Sequence, residues 1–156
     1  MSIKLDPIDR KIIEILQMNA KITNSQLATD IGLSPAPTLE RVRKLENAGL
    51  IKSYHAEVDL EQLGIGTSVF VLISLSGHKK NQILAFVDKM NQIPEVVECH
   101  HITGSGDFLI KVLTKDIASY QQLILNKLVD IEEIGNMQSM IILSTFKQSK
   151  IMPVFN

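Results

Sequence analysis

The hydrophobic period of this chain changes once, near residue 60, and that change calls for two differently built halves. Up to Ile51 the apolar residues return every three or four positions, the spacing that lines one face of a helix. From Thr67 onward, runs rich in Val, Ile, Leu and Phe are interleaved with helical stretches. Leu60 to Gly66, with Gly64 and Gly66, reads as the hinge between the halves. A chain of 156 residues accommodates two small domains. They are expected at 1–54 and 67–156, with 55–66 as a strand and hinge linker.

Three helices are expected in the first half. Asp6-Pro7-Ile8-Asp9 is a helix start: Asp6 caps free amides, Pro7 fits the first helical position, and Asp9 suits the positive end of the dipole. Ile8, Ile12, Ile15 and Leu16 then carry the helix to about Asn19. Thr23-Asn24-Ser25-Gln26 has capping-box form, and Gly32 can turn the chain sharply after a short second helix. Ser34 opens the third helix, with Pro35 and Pro37 in its first turn and Ala36 as the amide left for the Ser34 hydroxyl. Leu39, Val42 and Leu45 form its buried stripe, leaving Pro37, Glu40, Arg41, Arg43, Lys44 and Asn47 outside and Thr38 at the margin. Ile51 to Val58 reads as a strand.

Helix, helix, tight turn and helix with a basic outer face is the helix-turn-helix pattern, in which the last helix enters the DNA major groove. A three-helix bundle that binds nothing shares the pattern. Charge adds weight to the first reading. Residues 1–54 hold eight Lys/Arg against six Asp/Glu, whereas residues 55–156 hold eight against eleven. All three arginines, Arg10, Arg41 and Arg43, fall in the first segment, and an arginine fork can grip a phosphate or a guanine edge with two hydrogen bonds. On this pattern base reading is assigned to Ser34, Ala36, Pro37, Thr38 and Arg41, and phosphate gripping to Asn24, Ser25, Arg43 and Lys44.

The second half has the order βαββαβ: strands at Thr67–Ser76, Val96–Thr103, Phe108–Thr114 and Asn136–Phe146, helices at Asn81–Ile93 and Ile117–Val129. That order gives a ferredoxin-like fold, so the chain as a whole is α+β. Both helices cover one sheet face, and a second copy of the chain is the simplest cover for the other. The loop Gly104-Ser105-Gly106-Asp107 joins two strands. Its glycine amides can approach a carboxylate while Asp107 accepts from an ammonium group, which suits a free amino acid. The same four residues also make an ordinary hairpin turn.

Residues 8 to 51, and GLSPAPTLERVRKLE (32–46) above all, resemble the winged-helix-like DNA-binding domain of the Lrp/AsnC (feast/famine) transcriptional regulators, nearest the leucine-responsive branch. ECHHITGSGDFL (98–109) resembles the effector-loop region of that family's ligand-sensing RAM domain, and the likeness runs on through Lys147-Gln148-Ser149. The resemblance implies a sequence-specific regulator of transcription that binds double-stranded DNA. It further implies sheets paired into dimers, dimers joined into an octamer or another ring, and an amino-acid effector bound between subunits. By matching position it assigns the effector to His101, Gly104, Ser105, Gly106, Asp107 and Phe108, with Ile117 and Met140 as further contributors. Phe108 stands where tyrosine is common, and His101 and Met140 depart from the leucine-responsive branch, so the effector's identity stays open.

Other chemistries find little support. Unbroken apolar runs, Val69 to Ile73 among them, are far short of the roughly 20 residues of a membrane span, and the N-terminus lacks a signal peptide's basic start. A cytoplasmic protein with no membrane contact is expected. Cys99 is the only cysteine, and His100 and His101 face opposite sides of a strand, so neither a disulfide nor a closed metal site is expected. His55 and His78 are isolated and read as solvated. No GxSxG, HExxH, GxxxxGK[ST] or GxGxxG motif occurs, and neither an enzyme nor a cofactor other than the effector is expected. An amino-acid-binding module whose helices only pack is the alternative of a different class.

Overall fold

The computed structural model describes residues 4–154 and divides into two compact units. One comprises the residues up to Glu57 together with those from Phe146 onward; the other is Val58–Thr145. The outermost ends of both expected domain ranges, residues 1–3 and 155–156, lie outside the described residues.

In the first unit Asp6 caps helix α1 (Pro7–Met18), accepting from the Asp9 amide at 2.7 Å, and Asn19 ends it as expected. Helix α2 (Asn24–Ile31) starts on the Thr23 hydroxyl, which accepts from Gln26 N. Only half of the capping box forms there, because the Gln26 amide reaches forward to Asp30 at 2.8 Å. Gly32, in the left-handed region at φ 76°, closes α2 and releases helix α3 (Pro35–Asn47). Ile12, Leu27, Ile31 and Leu45 form the shared core, with Ile8, Leu33 and Val42 packed around it.

α3 is rotated from its expected setting. Thr38 is fully buried and Leu39 is 39% exposed, so the inner line runs through Thr38 and Leu45, with Val42 half-buried. The Thr38 hydroxyl is satisfied at depth by donating to Ser34 O at 2.9 Å. Ser34 itself makes no side-chain cap, so the expected bond from Ala36 does not form. Ile51 to Val58 is not a strand. The segment is extended and mostly exposed, and no described residue offers the ladder of hydrogen bonds a strand requires. Tyr54, on this segment, donates to Glu46 on α3. Gln17 of α1 exchanges two hydrogen bonds with the Met152 backbone, so the C-terminal tail is counted with the helical unit, not with the sheet as expected.

The linker also differs from a free hinge. Asp59 caps a tight turn by accepting from Gln62 N, and Gly66 N donates to Lys115 O at 3.0 Å, so residues 58–66 belong to the second unit. There β1 (Thr67–Leu75), α4 (Lys80–Asn91), β2 (Val96–His101), β3 (Phe108–Thr114), α5 (Ile117–Leu123) and β4 (Ile134–Ile141) follow in order. A wider π-turn over Ile124–Leu128 extends α5. The sheet is antiparallel in the order β2-β3-β1-β4, which is the ferredoxin-like arrangement. β1 and β3 alternate between buried and half-buried residues along their whole length. Their buried faces, Val69, Val71 and Ile73 with Phe108, Ile110 and Val112, pack against Phe86 and Met90 of α4 and Tyr120 and Leu123 of α5. Phe70, Leu72, Leu109, Leu113 and Met140 share the opposite face by register.

Candidate functional site

The sites lie one in each unit. On α3, the residues exposed to solvent are Ser34, Pro35, Ala36, Leu39, Glu40, Arg43, Lys44 and Asn47. At 100° per residue Ala36, Glu40, Arg43 and Asn47 fall within about 60° of one another and form the outermost line. Leu39 and Lys44 flank it.

Arg41 is not part of that surface. Its Nη1 lies 2.6 Å from Asp6 Oδ2 and 2.7 Å from Asp9 Oδ1, which braces α3 against the start of α1. The Asp9 side chain is only 1% exposed, so the guanidinium neutralises a carboxylate that has almost no access to water. The Asp9 amide first, and Arg41 next, hold the Asp6 carboxyl below its ordinary range. These carboxylates in turn raise Arg41. Asp6, Pro37, Glu40, Arg41 and Lys44 line a shallow hollow of about 390 Å³ beside this brace.

The other sequence-assigned DNA residues separate into two groups. Thr38 is buried and cannot touch a base in this conformation, and Asn24 is occupied by donating to Pro35 O at 2.8 Å, which ties α2 to the first turn of α3. Ser25, Ser34, Ala36, Arg43 and Lys44 remain accessible, and Pro37 is half-buried. The helix start offers a phosphate little: Pro35 and Pro37 have no N–H, and Thr38 N already donates to Ser34 O, which leaves the Ala36 amide. Glu40 and Asn47 were legible as outward-facing, yet nothing local to the sequence gave them a role.

In the sheet unit, the loop 104–107 is tightly anchored at the end of β1. Asp107 N donates to Ile73 O at 2.8 Å, and Asp107 O accepts from Ile102 N. The Asp107 carboxylate accepts from Leu75 N at 2.7 Å and contacts His78 Nε2 at 2.9 Å. The Leu75 amide first and His78 second hold this carboxyl below its ordinary range. His78 is therefore not the isolated residue the sequence suggested, although its side chain stays 68% exposed to solvent. Gly106 is fixed by crowding: a Cβ there would sit 2.7 Å from Leu72 Cδ1 and 3.2 Å from Ile73 O. Gly104, at φ 129°, and Ser105 are exposed at the tip.

Phe108 is 2% exposed and packs into the core against Phe86, ring centroids 4.7 Å apart, so its ring does not present itself to a ligand. His101 stacks on Phe108 at 4.8 Å. Ile117 is exposed at the start of α5, beyond the far end of β3, about 20 Å from the loop at ~3.4 Å per strand residue. Met140 pairs with Phe70 near the end of the edge strand β4, on the face away from the core. A single chain thus gathers His101 and residues 104–108 but does not bring Ile117 or Met140 to them. The sequence also gave no sign of a hollow of about 550 Å³ at the loop's opposite end of the sheet, lined by Leu63, Ile65, Glu95, Leu113, Lys115 and Ser119.

A helix-turn-helix head joined to a ferredoxin-like sheet domain defines a class of protein, the DNA-binding regulator with a ligand-binding domain. The winged helix-turn-helix DNA-binding model matches residues 5–52, and the Lrp/AsnC ligand binding domain model matches residues 68–152. The chain belongs to the Lrp/AsnC family, and as such it is a regulator of transcription and not an enzyme. It is 37% identical to the transcriptional regulator AzlB of Bacillus subtilis over 99% of this chain and 98% of that protein. It is 34% identical to the leucine-responsive regulatory protein of Escherichia coli K12, over 93% and 88%. Among solved structures, a transcriptional regulator from Neisseria meningitidis in complex with L-Met superposes with a TM-score of 0.92 at 30% identity, covering 96% of this chain and 97% of that one. Escherichia coli AsnC follows at 0.87 and 31%, covering 94% and 97%. Among the described residues no helix is long and apolar enough to cross a membrane, and no cluster of His, Cys, Asp and Glu could hold a metal ion.

Proposed function

We propose that this regulator binds specific double-stranded operators as a dimer, and that a free amino acid bound between subunits at loop 104–107 changes its assembly or its affinity for DNA. The observation that carries the reading is the loop itself. Its base is fixed by Asp107 and by Gly106 pressed on Leu72, while Gly104 and Ser105 stay open at the tip. A rigid base with open backbone groups suits recognition of a small zwitterion, because little ordering is left to oppose binding. The carboxylate has acceptor capacity beyond the two contacts it makes within the chain. The L-Met complex of the Neisseria meningitidis relative supports an amino acid as the ligand class.

Ile117 and Met140 reach the effector only if a neighbouring subunit supplies them, which agrees with a site shared between copies. Pairing through the sheet face that carries Phe70, Leu72, Leu109, Leu113 and Met140 gives the dimer, and dimers close into an octamer or another ring. Two α3 helices then address successive major grooves, about 34 Å apart or a multiple of it. Ser34, Ala36 and Pro37 lie against base edges, while Ser25 and Lys44 hold phosphates. The protein works in the cytoplasm, on the chromosome.

The test is selection of bound genomic fragments by the full chain, with and without each of the free amino acids. One amino acid is expected to change the fragments retained or the sedimentation of the protein, and substitution of Ser105 to abolish that change. An identical response to every amino acid and to none would overturn the effector reading.

A further inference from the structure

The outermost line of α3 contains a carboxylate where a surface built only to attract phosphate would have none. Glu40 is exposed, lies between Ala36 and Arg43 on that line, and makes no hydrogen bond or ion pair among the described residues. Lys44 stands four residues on, the favoured spacing for a Glu–Lys pair on a helix, and Arg43 three on, yet neither ties it down. The one arginine of α3 that does pair with carboxylates, Arg41, is turned inward to Asp6 and Asp9.

In a groove flanked by phosphates an unpaired carboxylate is repelled from the backbone and gains only from a donor on a base edge. The major-groove donor that a carboxylate accepts from is the N4 amino group of cytosine. Arg43, one turn further along the same line, matches the O6 and N7 acceptors of guanine. We propose that Glu40 is a specificity-determining residue that reads a cytosine in each half-site, with Arg43 on the neighbouring guanine, so that Arg43 reads a base and does not grip phosphate. The geometry places these two side chains on the groove side, the role that local sequence pattern gave to Thr38 and Arg41. The inference rests on the proposed entry of α3 into the major groove.

The experiment is selection of operator sequences from a randomised duplex pool with the full chain and with Glu40→Ala and Glu40→Gln, followed by titration on each single-base variant of the selected site. Circular dichroism shows whether the exposed substitutions leave the fold intact. Glu40→Ala is expected to lose about tenfold discrimination for cytosine at one position of each half-site, the loss of one good base contact. Glu40→Gln is expected to move that position toward adenine, since a glutamine amide matches adenine N6 and N7. A selected site that keeps its cytosine in both variants, or an affinity that rises equally on every sequence, overturns the assignment. Wild-type protein that selects no sequence at all overturns the DNA reading beneath it, a result distinct from either.

Discussion

Arg41→Ala separates a brace from a base contact. The substitution leaves Asp9, 1% exposed at its side chain, without its partner, and frees Asp6, whose side chain is 43% exposed. Removing one member of a buried pair costs about 3–5 kcal/mol, because the remaining charge is uncompensated, whereas an exposed pair contributes about 0–1 kcal/mol. Arg41 is itself 30% exposed, so water enters the gap and the expected loss lies between the two, about 2–4 kcal/mol, located in the helical unit. For a unit of this size that lowers the melting temperature by on the order of 10–20 °C. Hydrogen exchange of α1 and α3 amides in the full chain reads the loss directly, and the sheet amides serve as the internal control. Adding Asp9→Ala to Arg41→Ala is expected to restore part of the stability by removing the stranded charge. If Arg41→Ala instead leaves exchange unchanged and relaxes the preference for one base, Arg41 reads DNA and the brace is a minor contact.

Three further outcomes follow from the same geometry. Gly106→Ala forces a methyl to within 2.7 Å of Leu72 Cδ1 and near Ile73 O, so the sheet unit should lose about 1–3 kcal/mol in a denaturant titration, with amino-acid binding weakened. Thr38→Val removes a buried hydroxyl that donates to Ser34 O, costing about 1 kcal/mol of stability while leaving the selected operator unchanged. Because Asp107 is held below its ordinary carboxyl range, its contribution is complete above the unfolded pKa and disappears as pH falls through the lower folded one. Sheet-unit stability should therefore fall on acidification below pH ~4, and Asp107→Asn should flatten that part of the profile.

The elements that local chemistry dictates were legible in the residues. Asp6-Pro7 and Gly32 mark helix boundaries by their own backbone demands, and the apolar runs of β1 and β3 mark strands, although which side of each faces the core shows only in the fold. What pattern could not give depends on partners far along the chain. Thr38 takes the inner position that Leu39 was expected to share because α3 is turned so that Arg41 meets Asp6 and Asp9, 35 and 32 residues earlier. A helical wheel has no term for such a pair. Residues 51–58 have strand-like composition, but composition supplies no facing backbone, and the described chain offers none.

At loop 104–107 the sequence offered its glycines either for approach to a ligand or for a hairpin turn, and in the fold Gly104 takes a positive φ of 129° while Gly106 is crowded. Gly106 is required by contact with β1, more than 30 residues away in sequence, and Asp107 spends two acceptor sites on Leu75 and His78. Phe108, adjacent to the loop in sequence, belongs to the core because the strand alternation that starts there turns its ring toward Phe86.

The proposed function turns on the outward line of α3 meeting the bases of duplex DNA. Fluorescence anisotropy of the full chain on a selected genomic duplex and on a scrambled one, from 50 to 200 mM salt, tests it most directly, ~10³-fold or more in preference being usual for specific sites. Tighter binding to the selected duplex is expected at every salt concentration, with log affinity falling linearly against log salt on both. Equal affinity for the two duplexes, or none for either at the lowest salt, would contradict it.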